Sequence, residues 1–289
     1  KNLLSWWYKT AEVPIDTEEI LSYTWPLSAS TVLGLLMAQI MPLLLGFYRP
    51  PHEVAVFTIY FATISVLLFM ENSVAKIFKP VASENGQLLL KETGILYKRV
   101  ARWAVLFAGA ALVITALYGK EFIVLLFPQS YLLAPGALVI LAIGFFIGNI
   151  TGPTSALLES QNKTKLLLGI TTLHILIIIT LSVLLIPKYG LVCAAITFSS
   201  SYSIINIAAI LIIQKKFMIH PFSRKFMNAF IVLLVFGAIG WLIKSILAVS
   251  IGGMIIALII FIPIFFGLIY IFKAYDSDDL FLIKGFLPK

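Results

Sequence analysis

The stretch GFFIGNITGPTSALLESQ, residues 144–161, decides the fold class. In water its glycines, its Asn149, its threonines and Pro153 would weaken a helix. Here it belongs to one of the most apolar regions of the chain, 136–158. Gly144, Gly148 and Gly152 form two overlapping GxxxG repeats, a face of small residues on which a second membrane helix can pack backbone to backbone. Pro153 has no N–H to give to the carbonyl of Asn149, so the spacing predicts an interrupted helix with that carbonyl freed. Broken, polar membrane helices line cavities or absorb bending. Close packing alone selects the same residue types, and both readings of the Gly144–Pro153 segment stand at this point.

The rest of the chain has the same character. Of 289 residues, 61% are hydrophobic and 12% charged, with mean hydropathy +1.03; soluble domains carry about 25% charged residues. Continuous apolar runs of about 20 residues recur, which predicts an all-α, polytopic membrane helical bundle rather than the short alternating strands of a β-barrel. Eight spans are read at 25–48, 54–78, 101–118, 136–158, 166–186, 191–213, 226–243 and 251–272. The organisation follows: a linker (1–24), a six-span unit (25–213), a loop (214–225), two additional spans (226–272) and a tail (273–289).

Charge placement orients the bundle. Every Lys and Arg except Arg49, Lys120, Lys188 and Lys244 falls on one side of this arrangement. The positive-inside rule makes that side cytoplasmic, and an even number of spans then puts both ends of the chain there. The turns on the other side are short and rich in Pro and Gly: GFYRPPHE (46–53), YGKEF (118–122), FPQSYLLAPG (127–136) and IPKYGL (186–191). The basic connections are longer. The largest, 76–102, mixes Leu88, Leu89, Ile95 and Leu96 with charges, which fits an amphipathic helix on the inner surface or a solvated connector. The net charge of +8 is thus accounted for by topology, and nucleic acid is not an expected partner. One cysteine, Cys193, excludes a disulfide framework within the chain and reads as a buried apolar thiol.

Polar groups inside apolar spans are costly and are functional candidates for that reason. Glu71, Asn72, Lys76 and Lys79 cluster at the inner mouth of the second span. The two lysines, spaced i,i+3, can present to one anion such as a phosphate, or snorkel to the interface. Gln39 and Pro42 lie in the first span, where Pro42 removes a backbone hydrogen bond. His174, in the fifth span, reads as a hydrogen-bonded packing residue or as a proton relay. No His, Cys or carboxylate at helical spacing makes it a metal ligand. Asn206, with Ser199, Ser200 and Ser201, marks the sixth span as facing protein or water. Neither sequon, at Asn149 or Asn162, lies where glycosylation reaches. The chain has no phosphate-binding loop, dinucleotide fingerprint, nucleophile elbow, zinc motif or clustered catalytic carboxylates, so neither an enzyme nor a resident cofactor or metal is expected.

Several stretches resemble, in order, the second lobe of oligosaccharide flippases. They are EEILSYTWPLSASTVLGLLMAQIMPLLLGFYRPPHEVAVFTIYFA (18–62), YGKEFIVLLFPQSYLLAPGALVILAIG (118–144), GPTSALLESQNKTKLLLGI (152–170), LLIPKYGLVCAAITFSSSY (184–202) and IHP (219–221). The resemblance is to the lipid-linked polysaccharide flippase family of the multidrug/oligosaccharidyl-lipid/polysaccharide (MOP) exporter superfamily. It implies two six-helix lobes around a central cavity, often with two extra C-terminal helices. This chain would supply the second lobe and the two extra helices, with the N-terminal six-span lobe as its missing partner and residues 1–24 as the cytoplasmic inter-lobe linker. The implied activity is translocation of a polyprenyl- or dolichyl-linked oligosaccharide across a prokaryotic cell membrane by alternating access. On that reading Lys76, Lys79, Glu71 and Asn72 serve the inner mouth, and Gln39, Asn149, Thr151, His174 and Asn206 the cavity wall. The rival within the superfamily is a multidrug antiporter driven by H+ or Na+, coupled through Glu71 or His174. A membrane-embedded transferase is a third reading; it needs a clustered acid–base or metal site.

Overall fold

A computed structural model of the protein describes residues 17–65, 90–247 and 251–276. Its regular elements are all helical: α1 (Thr17–Tyr48), α2 (through 51–65), α3 (Leu90–Leu126), a 3-10 turn (Gln129–Tyr131), α4 (Gly136–Ile150), α5 (Thr154–Ser160), α6 (Thr164–Tyr189), α7 (Leu191–Phe217), α8 (Arg224–Ile246) and α9 (Ile251–Ile271). Seven helical segments among the described residues are long and apolar enough to cross a membrane. Their outer faces carry Leu35, Leu234 and Ile259, each more than 60% exposed, which suits contact with lipid rather than water. The inner-mouth candidates Glu71, Asn72, Lys76 and Lys79, most of the linker and most of the tail lie outside the described residues.

α1 packs on α6, α6 on α7, α7 on α4 and α4 on α3, while α8 and α9 are added on the far side of α3. Three apolar cores hold this arrangement. Met41, Leu45, Tyr60, Phe145 and Phe198 join α1, α2, α4 and α7 toward the end with few basic residues. Tyr60 donates from its hydroxyl to the carbonyl of Leu133 at 2.9 Å and so ties α2 to the loop before α4. Phe226, Phe236, Phe261 and Phe265 form the core between α3, α8 and α9. Tyr97, Leu157, Leu167 and Ile213 close the basic end of α3, α5, α6 and α7.

Two expectations are corrected in α3. YGKEF (118–122) is not a turn but the penultimate stretch of the helix, and Lys98, Arg99 and Arg102 are helical rather than loop residues. At 1.5 Å per residue the 37-residue helix is about 55 Å long, more than the about 40–45 Å of a bilayer with its headgroups. Its charges are tolerated because distant residues meet them. Glu121 pairs with Lys244 of α8 at 2.9 Å, and Lys244 also donates to the carbonyl of Leu117. Arg102, only 2% exposed, pairs with Asp276 at 2.6 Å, and Lys225 reaches the other oxygen of the same carboxylate. Asp276 gets there because α9 ends in a left-handed residue, Lys273 (φ 50°), with Ala274 N–H donating to Ile269 and Lys273 N–H to Tyr270. That motif reverses the chain under α8.

The α6–α7 turn shows a strict glycine requirement. Gly190 has φ +60°, and a Cβ there would collide with the Arg49 and Glu53 side chains. Those two form an ion pair at 3.0 Å, and Glu53 also accepts from the N–H of Leu191 at 2.8 Å, capping α7 from α2.

Candidate functional site: a polar cavity between α1, α5, α6 and α7

The break at 151–153 is where the segment quoted first does its structural work. α4 ends at Ile150, and Gly152 takes φ +76°, a value that suits glycine. The sequence predicted a freed carbonyl at Asn149, and the structure corrects this. That carbonyl accepts from Gly152 N–H at 3.1 Å, a 3-10 bond one residue shorter than the one Pro153 prevents. Thr151 donates from its hydroxyl to Gly148 at 2.7 Å, and its carbonyl accepts from the fully buried Tyr97 hydroxyl at 2.6 Å. The polar groups that the break exposes at Asn149 and Thr151 therefore have partners, which is the condition for irregular backbone at membrane depth.

The three glycines meet different neighbours. A Cβ on Gly144 would lie 2.6 Å from the Cα of Ser199, so α4 and α7 approach there backbone to backbone. A Cβ on Gly148 would overlap the ring of Tyr202, and one on Gly152 would lie 2.8 Å from Ala101 of α3. Tyr202, seated on Gly148, turns its ring toward His174 at 6.0 Å between centroids.

The break redirects the chain into α5, and this opens a polar cavity of about 280 Å³. Ser30, Thr31, Gly34 and Met37 of α1 form one wall, and Thr154, Ser155 and Glu159 of α5 another. Thr171 and His174 of α6 and Tyr202 and Asn206 of α7 complete it. The hydroxyls of Ser30 and Thr31 both donate to Leu27, and Thr171 donates to Leu167. Asn206 spends an amide N–H on Tyr202. With donors used on their own helices, these groups retain acceptor capacity for anything that enters. His174 is 5% exposed, and its Nε2 has no hydrogen-bond partner among the described residues. The arrangement suits water or a small hydrogen-bond donor or cation. Among the described residues no three His, Cys, Asp or Glu side chains gather as a metal site.

Of the wall residues expected from sequence, His174 and Asn206 meet in this cavity. Asn149 and Thr151 do not line it. Asn149 donates to Phe145 at 2.9 Å and borders a separate, apolar crevice of about 440 Å³ between α3, α8 and α9. Thr151 is consumed by the break. Gln39 is exposed on α1 outside the cavity, and Pro42 is half-buried within the same helix. The cavity's Ser30, Thr31, Thr154, Ser155, Glu159 and Tyr202 escaped sequence reading. The hydroxyls of Ser30 and Thr31, donating within their own helix, gave no signal that set them apart from other polar residues in apolar spans.

No family model matches the chain, and no curated protein matches it. Among solved structures, a MOP superfamily transporter from Pyrococcus furiosus superposes with a TM-score of 0.53 and 15% identity. The match covers 79% of this chain and 53% of that one. Over the matched part the chain shares the fold of that transporter. The chain spans about half the length of that protein, whose binding pocket is described as having reverse polarity that suggests a different function. At this identity the likeness is one of fold.

Proposed function

We propose that this chain is one lobe, with two added helices, of a membrane transporter that flips a lipid-linked oligosaccharide by alternating access. The observation that carries the transporter reading is the fold, in which α8 and α9 are appended to α3 of a helical unit like that of a MOP transporter. The narrower, lipid-linked substrate rests on the ordered stretches between residues 18 and 221. On this reading the partner is a second six-span lobe, and the glycan passes between the lobes. The cavity at His174, about 280 Å³, is smaller than the about 300–1,000 Å³ of drug-sized sites and does not accommodate an oligosaccharide. Its role is to hydrate and bias α1 against α6 and α7 as the lobes rock. A strain lacking the gene is expected to accumulate lipid-linked sugar on the cytoplasmic leaflet and to lose surface glycan. Intact glycan with new drug sensitivity would transfer the assignment to drug export.

One observation favours cation coupling in either case. The cavity collects acceptor oxygens beside a buried histidine whose Nε2 has no partner among the described residues. His174→Leu is expected to insert and fold normally but to slow transport about 10-fold, the size of a typical coupling free energy. Wild-type rates in the leucine variant would confine His174 to packing.

A further inference from the structure

At the basic end of the bundle a second cavity, about 760 Å³, opens between the start of α1, the α5–α6 turn and the end of α7. We propose that it binds the phosphate-bearing headgroup of an anionic membrane lipid. Its described lining includes Lys163, Lys165 and Lys216, with no acidic residue among the described residues that form it. Among the described residues none of these three lysines forms an ion pair or a side-chain hydrogen bond, so three ammonium groups share one opening without a counter-charge. Tyr23, Thr24 and Asn162 add hydrogen-bonding groups to the same wall.

The backbone fixes where these lysines stand. α5 is followed by Asn162 in the left-handed conformation (φ 55°), its N–H donating to Glu159 and the Lys163 N–H to Leu158 at 2.8 Å. That closure turns the chain within two residues and sets Lys163 as the N-cap of α6, with no side chain capping the helix. Lys165 follows in the first turn, where the helix end favours an anion. Lys216, in the last turn of α7, approaches from the opposite wall. Beside the opening, Leu21 and Trp25 of α1 are 65% and 64% exposed. An exposed indole and leucine at a helix end mark the depth of the headgroup layer, so the lysines face lipid phosphate rather than bulk solution. The volume exceeds one phosphate and suits a phosphodiester with its polar substituent. This inference does not depend on the transported substrate.

The test is native mass spectrometry and lipid titration of the intact protein in neutral detergent, with phosphatidylglycerol as probe and phosphatidylcholine as reference. Each lysine near a membrane surface contributes about 1 kcal/mol, so Lys163→Gln/Lys165→Gln/Lys216→Gln is expected to weaken phosphatidylglycerol binding on the order of 100-fold. The matching triple arginine variant, and glutamines at Lys120 and Lys188 on the other side, are expected to bind as wild type. Thermal unfolding of each variant separates lost binding from lost fold, and the arginine variant supplies the answer if the glutamine triple does not fold. Competition by inorganic pyrophosphate at equal affinity would reassign the site to a soluble phosphate. Equal phosphatidylglycerol binding by wild type and the glutamine triple, or lost binding in the arginine triple, overturns the proposal.

Discussion

Gly144→Leu is expected to lower the unfolding temperature by about 10 °C and to leave a small folded fraction after extraction. The Cβ alone would sit 2.6 Å from the Ser199 Cα, a backbone atom that moves only if α4 and α7 separate. Overpacking of this kind costs about 1–3 kcal/mol. Separation also breaks the interhelical hydrogen bond from the Ser199 hydroxyl to the Ile140 carbonyl, now 2.8 Å, which adds about 1 kcal/mol. Gly169 is the internal control. It lies in α6, where a Cβ would meet nothing within 4 Å, and Gly169→Leu is expected to melt as wild type or slightly higher. Equal melting of the two variants would mean that α4 and α7 do not meet at residue 144.

Asp276→Ala is expected to cost about 3 kcal/mol, because it removes the carboxylate that meets the buried Arg102 guanidinium. Adding Arg102→Met to it is expected to restore most of the loss, since replacing a buried pair with apolar atoms is close to neutral whereas halving it is not. A double variant no more stable than Asp276→Ala would contradict the pairing. The same carboxylate predicts an acid response. Burial opposes its ionisation, but hydrogen bonds and charge from Lys225 and Arg102 outweigh burial and hold the carboxyl below its ordinary value of 3.8. A depressed folded pKa stabilises fully above the unfolded value and is lost as pH falls through the folded one. The wild type is therefore expected to lose stability below about pH 4 through this group. Asp276→Ala lacks that increment, and melting curves from pH 3 to 7 measure the difference.

The helices and their order were legible because apolar runs of membrane length leave little choice of secondary structure. The ends of α3 were not. Lys98, Arg99, Arg102 and Glu121 look like loop charges until Asp276 and Lys244, more than 100 residues away in sequence, are seen to meet two of them. The break at Gly152–Pro153 was legible from proline chemistry, but its closure by Gly152 N–H was not, since a 3-10 bond depends on the local turn rather than on residue type. His174 and Asn206 stood out as polar residues in apolar runs. Ser30, Thr31 and Thr171 did not, because hydroxyls that donate to their own helix are common in membrane spans and carry no positional signal. Asn149 stood out in the same way as His174, but its amide is spent within α4, and the helix turns it toward α3 and α8–α9 rather than toward His174, a placement that residue type does not reveal.

Translocation itself is measured most directly in inverted membrane vesicles carrying the intact gene product and a fluorescent polyprenyl-diphosphate oligosaccharide on the exposed leaflet. A flippase removes label from that leaflet at a rate set by the amount of protein, and the rate is expected to fall about 10-fold with His174→Leu. Label that stays accessible at the protein-free rate, in vesicles where the protein is folded, would contradict the assignment.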